Sequence, residues 1–207
     1  MPKPSVDTQT ILKAALELIE DPGPGAFSAR RLAARLRCST RTLYEQVGKQ
    51  EDLIAALLNH HFVHSTPDLA TDAPWQEQID RWAHHLRDAI LSRPQLAKHL
   101  TPENRPALIE FTKPLLETLV DQGFAAETGV EVCRSVAYVV ISLTLGEVAT
   151  QQHRYTEPTE SDNPLTHLLM VGANQTERSP DGSAPPPVFE QTVRWLISGI
   201  AADRASD

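Results

Sequence analysis

With 207 residues the chain is long enough for one ordinary core, or for a small domain joined to a larger one, so it needs neither disulfides nor a metal to fold. Apolar residues at 41% and charged residues at 22% are ordinary for a globular protein, and aromatics at 5% argue against a binder of stacked single-stranded bases. Net charge is −8, yet between Ser28 and Gln50 the residues Arg30, Arg31, Arg35, Arg37, Arg41 and Lys49 stand against Glu45 alone, a local +5, while residues 66–207 carry −9. A basic patch on an acidic body is the footprint of a DNA-reading head, and a solvated helix face is the bland alternative.

Asp7 precedes a helical pattern from Thr8 through Ile11, Leu12, Ala15, Leu16, Leu18 and Ile19, and the run Asp21-Pro22-Gly23-Pro24-Gly25 stops it. Ser28 suits the N-cap of a second short helix through Leu32, Ala33 and Leu36. After a break at Arg37-Cys38, Ser39 or Thr40 suits the cap of a third. Two short helices so close predict a helix-turn-helix. In the third, Leu43 and Val47 turn inward and Gly48 closes the helix, leaving Arg41, Thr42, Tyr44 and Gln46 outward.

A fourth helix from about Gln50, with Leu53, Ile54, Leu57, Leu58 and Phe62, runs to Pro67 and suits a connector. Further helices are expected at roughly 74–92, 94–100, 104–122 and 127–153, and Val136–Leu145 is apolar enough to be buried on most sides. Residues 154–187 carry six prolines, Pro158, Pro164, Pro180, Pro185, Pro186 and Pro187, and predict a long mobile loop with one short helix near Leu165–Val171. A last helix from Val188 carries Phe189, Val193, Trp195, Leu196, Ile197 and Ile200, bulky enough for a subunit interface. The expected fold is all-α, with a helix-turn-helix domain over 1–49, a connecting helix over 50–66 and an effector-binding and dimerisation domain over 67–207.

Cys38 and Cys133 are too far apart for a zinc pair and read as free thiols of a reducing cytoplasm. The start has no signal-peptide pattern and no stretch approaches the roughly eighteen apolar residues of a membrane span, so a cytoplasmic chain without a membrane partner is expected.

At Ser28-Ala-Arg-Arg-Leu-Ala-Ala-Arg-Leu, Ser39-Thr-Arg-Thr-Leu-Tyr44 and Lys49-Gln-Glu-Asp-Leu53 the chain resembles the TetR family of regulators across residues 8–62. The resemblance extends more weakly into the tetracycline-repressor branch through Trp75-Gln-Glu77, Leu86-Arg-Asp-Ala-Ile-Leu-Ser92, Gln122-Gly-Phe124 and Thr144-Leu-Gly146. It implies that the third helix enters the major groove of double-stranded operator DNA, and that the C-terminal part binds a small-molecule effector. It also implies a homodimer built on the long helix to His153 and the final helix.

Arg30 matches the position from which this branch reaches a guanine, whose paired acceptors suit a guanidinium fork. Ser39, Thr40, Arg41, Thr42, Tyr44 and Gln46 are the remaining readers on or beside the third helix, with Thr42 and Tyr44 closest to the family pattern. The family places a phosphate-binding lysine at the start of the fourth helix. Here that position is Gln50 and the charge is one residue earlier, at Lys49. For Arg31, Arg35 and Arg37 a solvated face is the simpler reading.

For the effector, His99 matches a histidine through which the branch binds a drug-chelated magnesium. Trp82 and Leu86 replace its polar and aromatic drug contacts, and Thr150 stands in place of a water-bridging acid. A larger or more apolar ligand, or one bound without metal, is implied; Trp82, His85, Leu86, His99, Phe111 and Thr150 are the pocket candidates. Singly, each also suits ordinary core packing.

His60, His61 and His64 could hold a metal, His60 and His64 being i, i+4 on one helix, but no Glu follows His60 and no third ligand has readable spacing. No metal, cofactor or catalytic residue is assigned, for there is no Glu-x-x-His pair and no glycine-rich phosphate cradle. The leading expectation is a repressor released from DNA by its effector. A constitutive DNA-binding dimer without effector is the alternative, and a metalloprotein using the three histidines is a weaker one.

Overall fold

The computed structural model describes residues 6–20, 27–69, 72–152 and 188–206, and among them it contains helices and no strand. Helices α1 (Thr8–Ile19), α2 (Ala29–Arg35) and α3 (Thr40–Val47) form the head, and α4 (Gln50–His64) leads out of it. The body is α5 (Trp75–Ser92), α6 (Pro94–Ala97), a 3-10 segment (Pro102–Leu108), α7 (Ile109–Asp121), α8 (Ala126–Gln152) and α9 (Val188–Arg204). This is the all-α architecture expected. The proline-rich loop over 154–187, its short helix near Leu165–Val171 and the Asp21–Gly25 run lie outside the described residues.

The caps read from sequence are in place. Asp7 Oδ1 accepts the Thr10 N–H at 2.9 Å, Ser28 Oγ that of Arg31 at 3.3 Å and Ser39 Oγ that of Thr42 at 3.0 Å. The break after α2 is a Schellman turn: Cys38 N–H reaches Ala33 O at 3.0 Å and Arg37 N–H reaches Ala34 O at 3.2 Å. It puts Arg37 at φ 52, a left-handed position more often given to glycine, and so swings α3 across α2.

The head buries Ile11 and Ala15 of α1, Leu32 of α2 and Leu43 of α3 against Leu53 and Leu57 of α4. From α4, Phe62 meets the Phe111 ring edge-on at 5.8 Å, and Phe111 lies 5.5 Å from Trp82, whose Nε1 donates to Phe111 O at 3.1 Å. These three aromatics join α4, α7 and α5 in one core. Arg87 forks onto Glu147 at 2.7 and 3.1 Å, tying α5 to α8. Gly123, at φ 90, closes α7 where Arg204 of α9 donates to Gln122 O at 2.7 Å and stacks 4.2 Å from the Phe124 ring.

Two expectations are corrected. The helices expected at 94–100 and 104–122 are a four-residue α6 and a 3-10 segment that becomes α7 only at Ile109. Pro102 and Pro106 lack the N–H that an α-helix through this stretch would use, so the tighter turn prevails. The reading that no stretch approaches a membrane span also fails, because Ala126–Ala149 passes by length and composition. Within the fold this stretch is a bundle helix: Val132, Val136, Val140, Thr144 and Val148 are buried in the bundle with α5, α7 and α9, while Ser135 and Ser142 on the other face are exposed.

Candidate functional site

The basic surface sits where the helix-turn-helix presents it. Arg30, Ser39, Thr40, Arg41, Gln46, Lys49 and Gln50 are exposed, and Thr42 and Tyr44 are half-buried at the edge of α3. Ser39 is the cap of α3, its Oγ also sharing a 2.8 Å bond with Thr42 Oγ1, so both hydroxyls already have partners. Arg41 donates to Glu45 one turn on at 2.9 Å, an ion pair that raises its pKa and would have to open for base contact. Arg35 pairs with Glu17 and pins α2 to α1. Its work is structural, a role that the sequence reading, which weighed only a solvated face, passed over.

Gly48 ends α3 at φ 77, and one residue later the Lys49 N–H donates to Asp52 at 2.7 Å, which anchors the start of α4. The orientation of the reading helix is thereby coupled to α4. Three contacts then join head to body. Glu20, after α1, takes the N–H groups of Gln95 and Leu96 at 3.3 and 3.1 Å, capping α6 from the other domain; Arg93 Nη1 donates to Leu16 O at 3.1 Å; and His61 Nε2 donates to Ala89 O at 2.9 Å.

The three histidines of α4 therefore divide. His61 docks on α5, whereas His60 and His64 stack at 4.2 Å outside it and His64 Nδ1 donates to His60 O at 2.6 Å. Burial, with Arg93 nearby, holds the His61 pKa below its ordinary 6.5. A depressed histidine adds stability that is present above 6.5 and lost as pH falls through the folded-state value. His60 and His99 are depressed too, and His84 is raised, so the test is a difference. Between pH 7.5 and 5.5 the wild type is expected to lose more melting temperature than His61→Gln, which keeps a donor for Ala89 O without the titration; equal losses would mean that His61 carries none of the pH dependence.

The effector candidates do not converge. Trp82, Leu86 and Phe111 are fully buried in the aromatic core, His85 is exposed on the outer side of α5 with Nδ1 donating to Arg81 O, and His99 is half-buried after α6. Thr150 falls in α8, and its side chain is not among those described. A cleft of about 590 Å³ opens instead between α7 and α8, lined mostly by apolar groups including Ile109, Thr112, Leu116, Cys133, Ala137 and Ile141. Burial pushes the Cys133 thiol up to about 12, so it stays protonated there. A sequence signal for this cleft existed: Leu108, Thr112 and Leu116 form a second stripe on α7, beside the Phe111, Leu115 and Leu119 stripe that enters the core.

Together the described helices make a two-part all-helical protein whose N-terminal helix-turn-helix carries an exposed cationic face. Residues 11–57 match the model of bacterial regulatory proteins of the tetR family. Tetracycline repressor protein class A from transposon 1721 of Escherichia coli is 26% identical over 201 residues, covering 94% of this chain and 90% of that protein. Among solved structures, a possible TetR family transcriptional regulator from Streptomyces coelicolor A3(2) matches with a TM-score of 0.73 and 24% identity over 95% of this chain and 99% of that one. The TetR family protein ActR of Streptomyces coelicolor, in complex with (S)-DNPA, matches with a TM-score of 0.70 and 21% identity over 97% of this chain and all of the other. The chain belongs to the TetR family of bacterial regulatory proteins.

Proposed function

We propose that the protein is a cytoplasmic, dimeric repressor, without enzymatic activity, that a small molecule releases from operator DNA. The observation that carries this reading is the cationic face on α2 and α3, coupled through Gly48 and Asp52 to α4, and through Glu20, Arg93 and His61 to the body. The division into a reading domain at 1–49, a connecting helix at 50–66 and an effector-binding and dimerising part at 67–207 follows from it. The proposed DNA contacts are Arg30, Thr40, Arg41, Thr42, Tyr44, Gln46, Lys49 and Gln50, with Ser39 holding the helix start.

A second copy has a surface to take. Val188 and Trp195, exposed at 69% and 66%, share one stripe of α9 with Gly199, beside which a helix from a partner meets open space. Two reading heads so joined fit half-sites about one helical turn apart, ~34–36 Å. The effector proposed is predominantly apolar and enters the α7/α8 cleft, with His99 near the α6 end of the path. Displacing α7 or α6 then pulls on Glu20 and α4 and changes the spacing of the heads. A ligand does this only by binding the two conformations unequally. The titles of relatives bound to tetracycline-class or other small molecules support this use of the body.

Arg30→Ala tests the reading head. Its affinity for the preferred operator is expected to fall by roughly 10–100-fold, the value of about 1–3 kcal/mol for one bidentate base contact, with far less change on random DNA. Electrophoretic shifts at fixed salt measure both. Equal weakening on the two DNAs would reassign Arg30 to the phosphates.

A further inference from the structure

On the side of the body away from the α7/α8 cleft, a polar groove of about 640 Å³ runs between α5 and α9. It contains Asp80 and His84, one turn apart on α5, and Glu190 from the first turn of α9, with ligating atoms within 4.8 Å of one another. His84 Nδ1 lies 2.8 Å from the backbone oxygen of Asp80. A carbonyl only accepts, so Nδ1 holds a proton and the lone pair of the neutral ring is on Nε2. That Nε2 faces Glu190 Oε1 at 2.9 Å, and the Asp80 carboxylate stands 3.6 Å from the ring on its other side. A lone pair aimed at a carboxylate repels it, so this arrangement calls for a cation between His84 and Glu190: a proton, or a metal.

We propose that Asp80, His84 and Glu190 form a site for a divalent transition metal of the zinc class, which joins α5 to α9. Imidazole and carboxylate oxygens are the ligands such an ion takes, at about 2.0–2.2 Å. The Nδ1–H to carbonyl bond is the outer contact that orients a metal-binding histidine. Phe189 packs edge-on against the His84 ring at 5.4 Å and limits its rotation, while Asp80 and Glu190, both partly exposed, can swing to close the ligand set. The open groove leaves the fourth position to water, and Glu77 and Asp88 offset the charges of Arg81 and Arg194 along its walls. Binding is an exchange: the ion enters, and the proton shared by Nε2 and Glu190 leaves. Burial alone would lower the His84 pKa, but its bonds to the Asp80 backbone and Glu190, with both carboxylates nearby, raise it above 6.5. The metal therefore competes best above neutrality.

The test is calorimetric titration of the full-length protein, stripped with chelator, with zinc chloride at pH 8 and at pH 6, magnesium chloride serving as the control. One zinc per chain is expected at pH 8, weaker binding at pH 6, none for magnesium and a raised melting temperature with zinc. Binding is expected to vanish in His84→Gln and to weaken at least tenfold in the isosteric Glu190→Gln. The double variant His60→Gln/His64→Gln controls for the exposed pair on α4 and is expected to bind as the wild type does. The proposal is overturned if zinc does not bind at one per chain, if it still binds His84→Gln, or if binding is lost with His60 and His64.

Discussion

Trp82→Ala is expected to lower the unfolding free energy by about 3–5 kcal/mol, the cost of removing a large buried aromatic and leaving a cavity. Trp82 is fully buried, its ring contacts Phe111 and its Nε1 donates to Phe111 O, while Phe111 in turn holds Phe62 of α4. The loss therefore extends to the element that positions the head, and operator affinity is expected to fall together with stability. Urea unfolding followed by far-UV circular dichroism reads the first effect, and DNA titration the second. Trp82→Phe keeps most of the packing and loses the donor, at an expected ~1–2 kcal/mol. A loss under about 1 kcal/mol in Trp82→Ala would mean that the side chain borders an empty effector chamber rather than a filled core.

Gly48→Ala is expected to cost about 2–4 kcal/mol, confined to the junction of α3 and α4. At φ 77 any side chain is strained, and a Cβ would lie 2.5 Å from Asp52 Oδ2. That oxygen accepts the Lys49 N–H at 2.7 Å, so relieving the clash also breaks the start of α4. Operator binding is expected to fall more steeply than the melting temperature of the body. Asp52→Ala removes only the cap, about 1 kcal/mol, and the double variant is expected to lose less than the sum of the two because the clash is gone. Additive losses would place the whole cost of Gly48→Ala in its own backbone.

Much of the head was legible because its signals are local. Asp7, Ser28, Ser39 and Gly48 occupy the capping positions that their short side chains, or the lack of one, suit, and periodicity placed Leu43 inward. The limits of α6 and α7 were not, since two prolines within seven residues favour a 3-10 path that helical periodicity does not reveal. Nor was the fate of the three α4 histidines: the sequence groups them, but Ala89 O, twenty-eight residues away from His61, separates them.

The effector candidates show the same boundary from the other side. Trp82, Leu86 and Phe111 were chosen by position in a family pattern, yet the chain folds them into the core, and the cleft opens on the neighbouring stripe of α7. A helix face is periodic in sequence, but which of two apolar stripes meets a neighbour depends on how helices cross, and that is a property of the whole packing. What the amino-acid order determined alone was therefore the set of helices in the head, their caps and the cationic face, because these rest on contacts within about four residues. Which side chains fill the core, where the body opens, and that Asp80, His84 and Glu190 share one groove were decided by the tertiary structure, since partners a hundred residues apart are joined only when α5 and α9 pack.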